Sequence, residues 1–199
     1  MLKDFTVNND KNEIYYFNPM KIEDTNKIKL LKKLNIKNYI LFHFDNKWND
    51  VNDINNKLFE NLVYLQKKIN KNILITSYMN KTSYFKNLKL KLNSIDSVKY
   101  NLTIKNNKKI YLVNDPSLFL QERLVSSSDY NISCHSGILV HGSGANKKKL
   151  IDILNTSEIK MQSCWTPLTN YRVIKKSNKF FKMEINTIFN QIYKKLNLF

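Results

Sequence analysis

Apolar residues in this chain fall into two kinds of segment that alternate: short, nearly unbroken runs, and longer stretches with one apolar stripe at helical spacing. Asn38 to Phe44 reads Asn-Tyr-Ile-Leu-Phe-His-Phe, a run that suits a strand buried on both faces better than a half-exposed one. After the polar turn Asp45 to Asp50, Asp53 is placed to cap a helix reaching about Ile69, with Ile54, Leu58, Leu62, Leu65 and Ile69 on one face. Asn72 to Met79 predicts a second strand and Tyr84 to Leu92 a second helix. Val98 to Ile104 and Ile110 to Val113 are strand-like and split by the turn Lys105 to Lys109, so only one of them need join the main sheet. Asp115-Pro116-Ser117 opens a helix to about Ser126 through Leu118, Leu120, Leu124 and Val125, since proline suits a first helical turn. Tyr130 to Cys134 is again a strand, Gly137 to Asn146 reads as a turning loop, and Lys147 to Leu154 as a short helix. Glu158 to Gln162 predicts a short strand, Tyr171 to Ile174 an edge strand, and Met183 to Leu196 a closing helix with Ile185, Ile188, Phe189, Ile192 and Leu196 along one side.

Strands alternating with helices of this length imply an α/β fold, a Rossmann-like parallel sheet with flanking helices. Residues 38–199 carry the alternation. Residues 1–37 read as a lead-in segment or the remnant of an N-terminal domain, with Phe17-Asn18-Pro19 as a breaker and Asp24 placed to cap a short helix over Lys27 to Leu34.

Composition narrows the picture. At 199 residues and 42% hydrophobic, the chain is long enough for one large domain or a domain with an appendage. No apolar run approaches a membrane span of roughly 18 to 20 residues, and Met1-Leu2-Lys3-Asp4 begins no signal peptide, so a cytoplasmic protein is expected. Cys134 and Cys164 are too few for a disulfide framework and read as reduced, structural residues. The net charge of +17 is almost wholly lysine; Arg123 and Arg172 are the only arginines. Base-reading proteins lean on arginine, so this surplus reads mainly as the background of an AT-rich genome, with weak attraction to the inner face of a membrane as a by-product.

All three glycines and two of the three histidines fall between Tyr130 and Asn146. Glycine permits positive φ and close backbone approach, so the chain is expected to turn tightly there beside something it binds, at the carboxyl end of a strand where α/β sheets hold phosphorylated ligands. Gly137 and Gly142 have Walker A glycine spacing, but Ser143 stands where that motif needs lysine. Gly142-Ser143-Gly144 starts a dinucleotide fingerprint, yet Lys147 holds its third glycine position. His135 and His141 lack a third convergent ligand, so no metal site is expected. No carboxylate pair stands out for acid/base work; Asp115 and Glu122 read as capping and surface residues, and Trp48 and Trp165 as packing residues.

Three features in this order resemble the donor-binding half of a glycosyltransferase of family 9, the heptosyltransferase type with a GT-B fold. They are the strand Tyr39 to Phe44 followed by Lys47-Trp48, the strand after Ser126-Ser127-Ser128-Asp129 leading into Ser136-Gly137 and His141, and a C-terminal helix after the irregular Trp165-Thr166-Pro167. The resemblance covers residues 38–196. It implies that Lys47, Ser136, Gly137 and His141 bind a nucleotide-sugar donor, the lysine approaching the nucleotide-sugar and the loop holding its diphosphate through backbone N–H groups. His135 stands where the family has an acidic residue, and His141 lies one position further from the glycine. The implied activity is sugar transfer to a glycan or glycolipid acceptor of the cell surface, as in lipopolysaccharide biosynthesis, with no cofactor. Because the family's acceptor site and catalytic base belong to an N-terminal domain, the resemblance also implies a partner, either a second Rossmann-like domain or a homo-oligomer. The chain alone is then expected to bind without turnover, with part of the last helix's stripe exposed toward that partner. The alternative from the residues is a non-catalytic basic module binding nucleotide or nucleic acid, which steep salt dependence would reveal.

Overall fold

A computed structural model describes residues 29–77, 84–85, 93–95, 98–105, 108–159, 170–177 and 181–198. The elements in chain order are α1 (Lys29–Lys33), β1 (Tyr39–Phe44), a 3-10 turn (Asn46–Asp50), α2 (Ile54–Ile69), β2 (Asn72–Ser77), β3 (Asn93–Ile95), β4 (Val98–Lys105), β5 (Lys108–Asn114), α3 (Leu118–Ser127), β6 (Tyr130–Ser133), α4 (Gly137–Ala145), β7 (Lys149–Asn155), β8 (Tyr171–Ser177) and α5 (Ile185–Leu196). The expected helix from Tyr84 to Leu92 lies outside the described residues except for Tyr84 and Phe85, as do Trp165-Thr166-Pro167, Cys164 and the N-terminal breaker.

The sheet runs β3-β4-β5-β2-β1-β6-β7-β8. From β5 to β8 its six strands are all parallel, a Rossmann-like layer. Both candidate strands before α3 join the sheet: β5 pairs parallel with β2, and β4 pairs antiparallel with β5, as two strands joined by so short a turn must. All six residues of β1 are buried, because helices cover both faces of a parallel sheet. Alternate residues divide between two cores. Ile40, Phe42 and Phe44 face α2 and α5, with Trp48, Leu58 and Leu62; Tyr39 and Leu41 face α3 and α4, with Leu124, Val125 and Leu139. Leu30, Leu31 and Ile36 extend the second core.

Three expectations are corrected. The glycine stretch is not a loop followed by a helix: α4 runs through all three glycines, and Lys149 to Asn155 is strand β7. Leu150, Ile151, Ile153 and Leu154 are a short apolar run broken by one polar residue, which spacing alone cannot tell from a buried helix. None of the glycines has positive φ. Gly142 is needed for packing instead, since a Cβ there would stand 2.8 Å from Val125 Cγ1 and drive α3 from α4. The second correction concerns α5, whose stripe is not exposed. Ile185, Ile188, Phe189 and Ile192 are fully buried within this chain, Phe189 stacks on Phe42 at 5.7 Å, and Asn61 of α2 donates to Asn186 at 2.8 Å. In the predicted strand from Glu158 to Gln162, Glu158 and Ile159 are helical and the rest lies outside the described residues.

Candidate functional site

Numbered among the six parallel strands alone, the order is 3-2-1-4-5-6, and β1 and β6 lie side by side while their chains leave in opposite directions. Their carboxyl ends therefore open a crevice, the position where doubly wound sheets bind ligands. The 3-10 turn carrying Lys47 stands on one side of it, and Cys134 to Gly137 with the start of α4 on the other.

The Lys47 turn is held from several directions. Asp45 caps it by accepting from the Lys47 N–H at 3.0 Å, and Trp48, fully buried against Phe44, donates from Nε1 to the His43 carbonyl at 3.0 Å. Tyr84 donates to the Asp45 carbonyl at 3.0 Å. From the far strand β8, buried Lys176 donates to the Lys47 carbonyl and pairs with Asp50 at 3.2 Å. Burial pushes the Asp50 carboxyl up, but Lys176, with Asn155 and Lys182, outweighs it and holds the group below the usual carboxylate range.

With its backbone so fixed, Lys47 reaches across the crevice, and Nζ donates to the His135 carbonyl at 2.7 Å. This acceptor is a neutral carbonyl rather than a carboxylate, so the ammonium is positioned without being neutralised by it. Ser136 is buried, caps α4 through its backbone and makes no side-chain cap bond; its N–H donates to Ser133 Oγ at 3.1 Å. The first helical bond runs from Val140 N–H to the Ser136 carbonyl, so the N–H groups of Gly137, Ile138 and Leu139 precede any intrahelical acceptor. Gly137 is exposed, has no positive φ, and a Cβ there would meet nothing nearer than His141 Cδ2 at 4.0 Å. The chain's own packing thus leaves room for a side chain at this glycine. His141 lies one turn into α4; partial desolvation of its ring, and then the neighbouring His135, lower its imidazole below the usual value. The four residues read from the sequence therefore gather at one end of β1 and β6.

Sequence reasoning missed what holds this loop. His135, not a glycine, takes the left-handed conformation, with φ 53°. Its N–H donates to Asp152 Oδ1 at 2.7 Å and its Nδ1 bonds Oδ2 of the same carboxylate at 2.6 Å, while Tyr171 donates to Oδ2 at 3.0 Å. Asp152 is fully buried on β7. Its one sequence signal is being the lone acid within Leu150-Ile151-Asp152-Ile153-Leu154. Cys134 is a free, buried thiol that burial pushes up, which makes it unreactive. Beneath the crevice His43 is buried and bonds Thr76 Oγ1 at 3.0 Å through Nδ1, and burial lowers its imidazole. Among the described residues no group of three His, Cys, Asp or Glu could hold a metal, and no helix is long and apolar enough to cross a membrane.

A cavity of about 470 Å³ opens at the opposite, amino-terminal end of β1 and β2, lined by Asn35, Lys37, Asn38, Asn70, Lys71 and Asn72. Lys71 is already paired with Asp129 at 2.7 Å. Among the described residues no helix N-terminus lines this cavity, whereas the carboxyl edge combines one with a fixed lysine, which makes that edge the candidate site.

No family model matches the chain, and no curated protein matches it. Among solved structures it is similar to the UDP-GlcNAc 2-epimerase of Methanocaldococcus jannaschii, determined with UDP-GlcNAc and UDP, with a TM-score of 0.54 and 13% identity over 87% of this chain and 42% of the epimerase chain. The chain thus spans about two fifths of the epimerase's length. Similarity to ALG13 (TM-score 0.45, 14% identity, 80% of this chain and 96% of that one) and to the G domain of the T. maritima FeoB iron transporter (TM-score 0.37, 12% identity, 81% and 99%) is too loose to carry an argument. The class so defined is a Rossmann-like α/β protein matching a GT-B half-domain.

Proposed function

We propose that residues 38–199 are a donor-binding domain of GT-B type, with the preceding residues as its lead-in, and that it holds a nucleotide-sugar at the crevice between β1 and β6 for transfer to a glycan or glycolipid acceptor. The observation that carries the reading is the Lys47 ammonium fixed across the switch point on the His135 carbonyl, 2.7 Å away, just before a helix that Ser136 caps and Gly137 begins. A diphosphate there would meet the N–H groups of the first turn of α4, its positive dipole end and the lysine. Gly137 would let the backbone approach, and His141 would border the same edge one turn on. The family 9 resemblance supports the same assignment and adds the heptosyltransferase type as its finer form. That the related fold in the epimerase was determined with UDP-GlcNAc and UDP fits this ligand class.

Calorimetric titration with UDP tests the reading. The chain should bind UDP, Lys47→Ala should weaken binding about tenfold or more, as loss of a charge-assisted contact worth roughly 1.5–3 kcal/mol requires, and Gly137→Val should remove it while circular dichroism shows an intact fold. Unchanged affinity in a folded Gly137→Val variant would refute the site.

A further inference from the structure

The geometry at His135 assigns this residue a role that its packing alone does not explain. A left-handed backbone is strained at a non-glycine residue, and glycine or asparagine meets the same φ with less strain. Either would keep the N–H bond to Asp152 Oδ1. What only histidine supplies here is the second bond, Nδ1 to Oδ2 at 2.6 Å, which fixes the ring with Nδ1 toward the buried carboxylate and Nε2 pointing away from it. No described residue takes Nε2, and 21% of the side chain is exposed. The carboxylate behind the ring is spent, accepting from the His135 N–H, from Nδ1 and from the Tyr171 hydroxyl. The His135 carbonyl holds Lys47, and the next residues are Ser136 and the exposed start of α4.

We infer that His135 contacts the ligand: its imidazolium, oriented and charge-balanced by Asp152, donates from Nε2 to a phosphoryl oxygen of the bound nucleoside diphosphate. The inference rests on the nucleotide reading above and gives the site a second cation beside Lys47. An anion held this way is bound tightly only by the protonated ring. The titratable and charged groups around the ring are Asp152 on β7, Tyr171 on β8, Lys47 from the turn after β1, and His141 on α4, whose charge is felt at the same place. Of these, His141 is the other imidazole, so it needs its own control.

The test is calorimetric titration of the full chain with UDP between about pH 6 and about pH 8.5, repeated in buffers of different ionisation enthalpy to count protons taken up. Wild-type affinity should fall by roughly tenfold across this range with uptake of a proton at the upper end, His135→Gln should bind more weakly with a slope at least severalfold shallower, and His141→Gln should flatten the slope less than His135→Gln does. Differences between variants cancel the titration of the UDP phosphate itself. Asp152→Asn, which keeps an acceptor but removes the charge, should also flatten the slope. Should His135→Gln fail to fold, the nitrogen resonances of the His135 ring in the wild-type chain serve instead: UDP should move the Nε2 signal, and a signal unmoved at saturation overturns the inference. A His135→Gln variant that keeps both affinity and slope overturns it as well, leaving the nucleotide reading intact. A wild-type chain that binds no UDP at any pH overturns both.

Discussion

Gly142→Ala tests why α4 can lie where it does. A Cβ added at Gly142 would stand 2.8 Å from Val125 Cγ1 and 3.5 Å from Val125 Cβ, and Val125 is fully buried in α3. Valine has little χ1 freedom in a helix, so relief requires α3 and α4 to separate, an overpacking cost of about 1–3 kcal/mol. Against it stands the gain of about 1 kcal/mol from replacing glycine by alanine inside a helix. The net expectation is destabilisation by about 1 kcal/mol, read as a lowered urea midpoint at constant slope. In a Val125→Ala background the obstructing methyl is gone, and the same substitution should become stabilising, by up to about 1 kcal/mol. That change of sign is what the packing account requires. If Gly142→Ala stabilises both backgrounds equally, close approach of α3 and α4 is not the reason for the glycine.

Phe189→Asp should abolish folding, because it places an unpaired charge where a fully buried ring stacks on Phe42 at 5.7 Å, a loss of roughly 3–5 kcal/mol before the charge is counted; a soluble variant with a cooperative urea transition would contradict the burial of α5. Burial lowers the His43 imidazole, so the folded state favours its neutral form. The resulting stability is full above the unfolded histidine value of about 6.5 and is lost as pH falls through the lower folded value, so urea unfolding at about pH 5 should show a deficit relative to about pH 8 that shrinks in His43→Gln. An undiminished deficit in that variant would place its source elsewhere. UDP affinity should vary only modestly with salt, whereas a steep logarithmic decline for an oligonucleotide, tighter than UDP, would favour a basic nucleic-acid module.

Much of the sheet was legible because strands buried on both faces write themselves as apolar runs, as at Tyr39 to Phe44 and Asn72 to Ser77. The stripes of α2 and α5 were equally plain, since one face of each meets the core. The segment from Gly137 to Leu154 misleads for a physical reason: glycine signals turning, but at Gly142 it serves the contact with Val125 inside a helix, and the positive φ falls on His135. The residues that meet the proposed ligand sit in recognisable local patterns, whereas those that hold them in place do not. Asp152 meets His135 across 17 positions, Lys47 reaches it across 88, and Lys176 supports the Lys47 turn across 129, so each of these bonds exists only once the sheet has formed. In the sequence Lys176 is one of 33 basic residues with nothing to mark it as buried.

The position of the ligand is tested most directly by following the backbone amide resonances of the chain as UDP is added. Binding at the switch point predicts that the largest shifts fall on Asn46 to Trp48 and on His135 to Leu139, the two sides of the crevice at the carboxyl ends of β1 and β6. Shifts concentrated instead on Asn35 to Asn38 and Asn70 to Asn72, around the cavity at the other end of those strands, would contradict the account, as would a spectrum that UDP leaves unchanged.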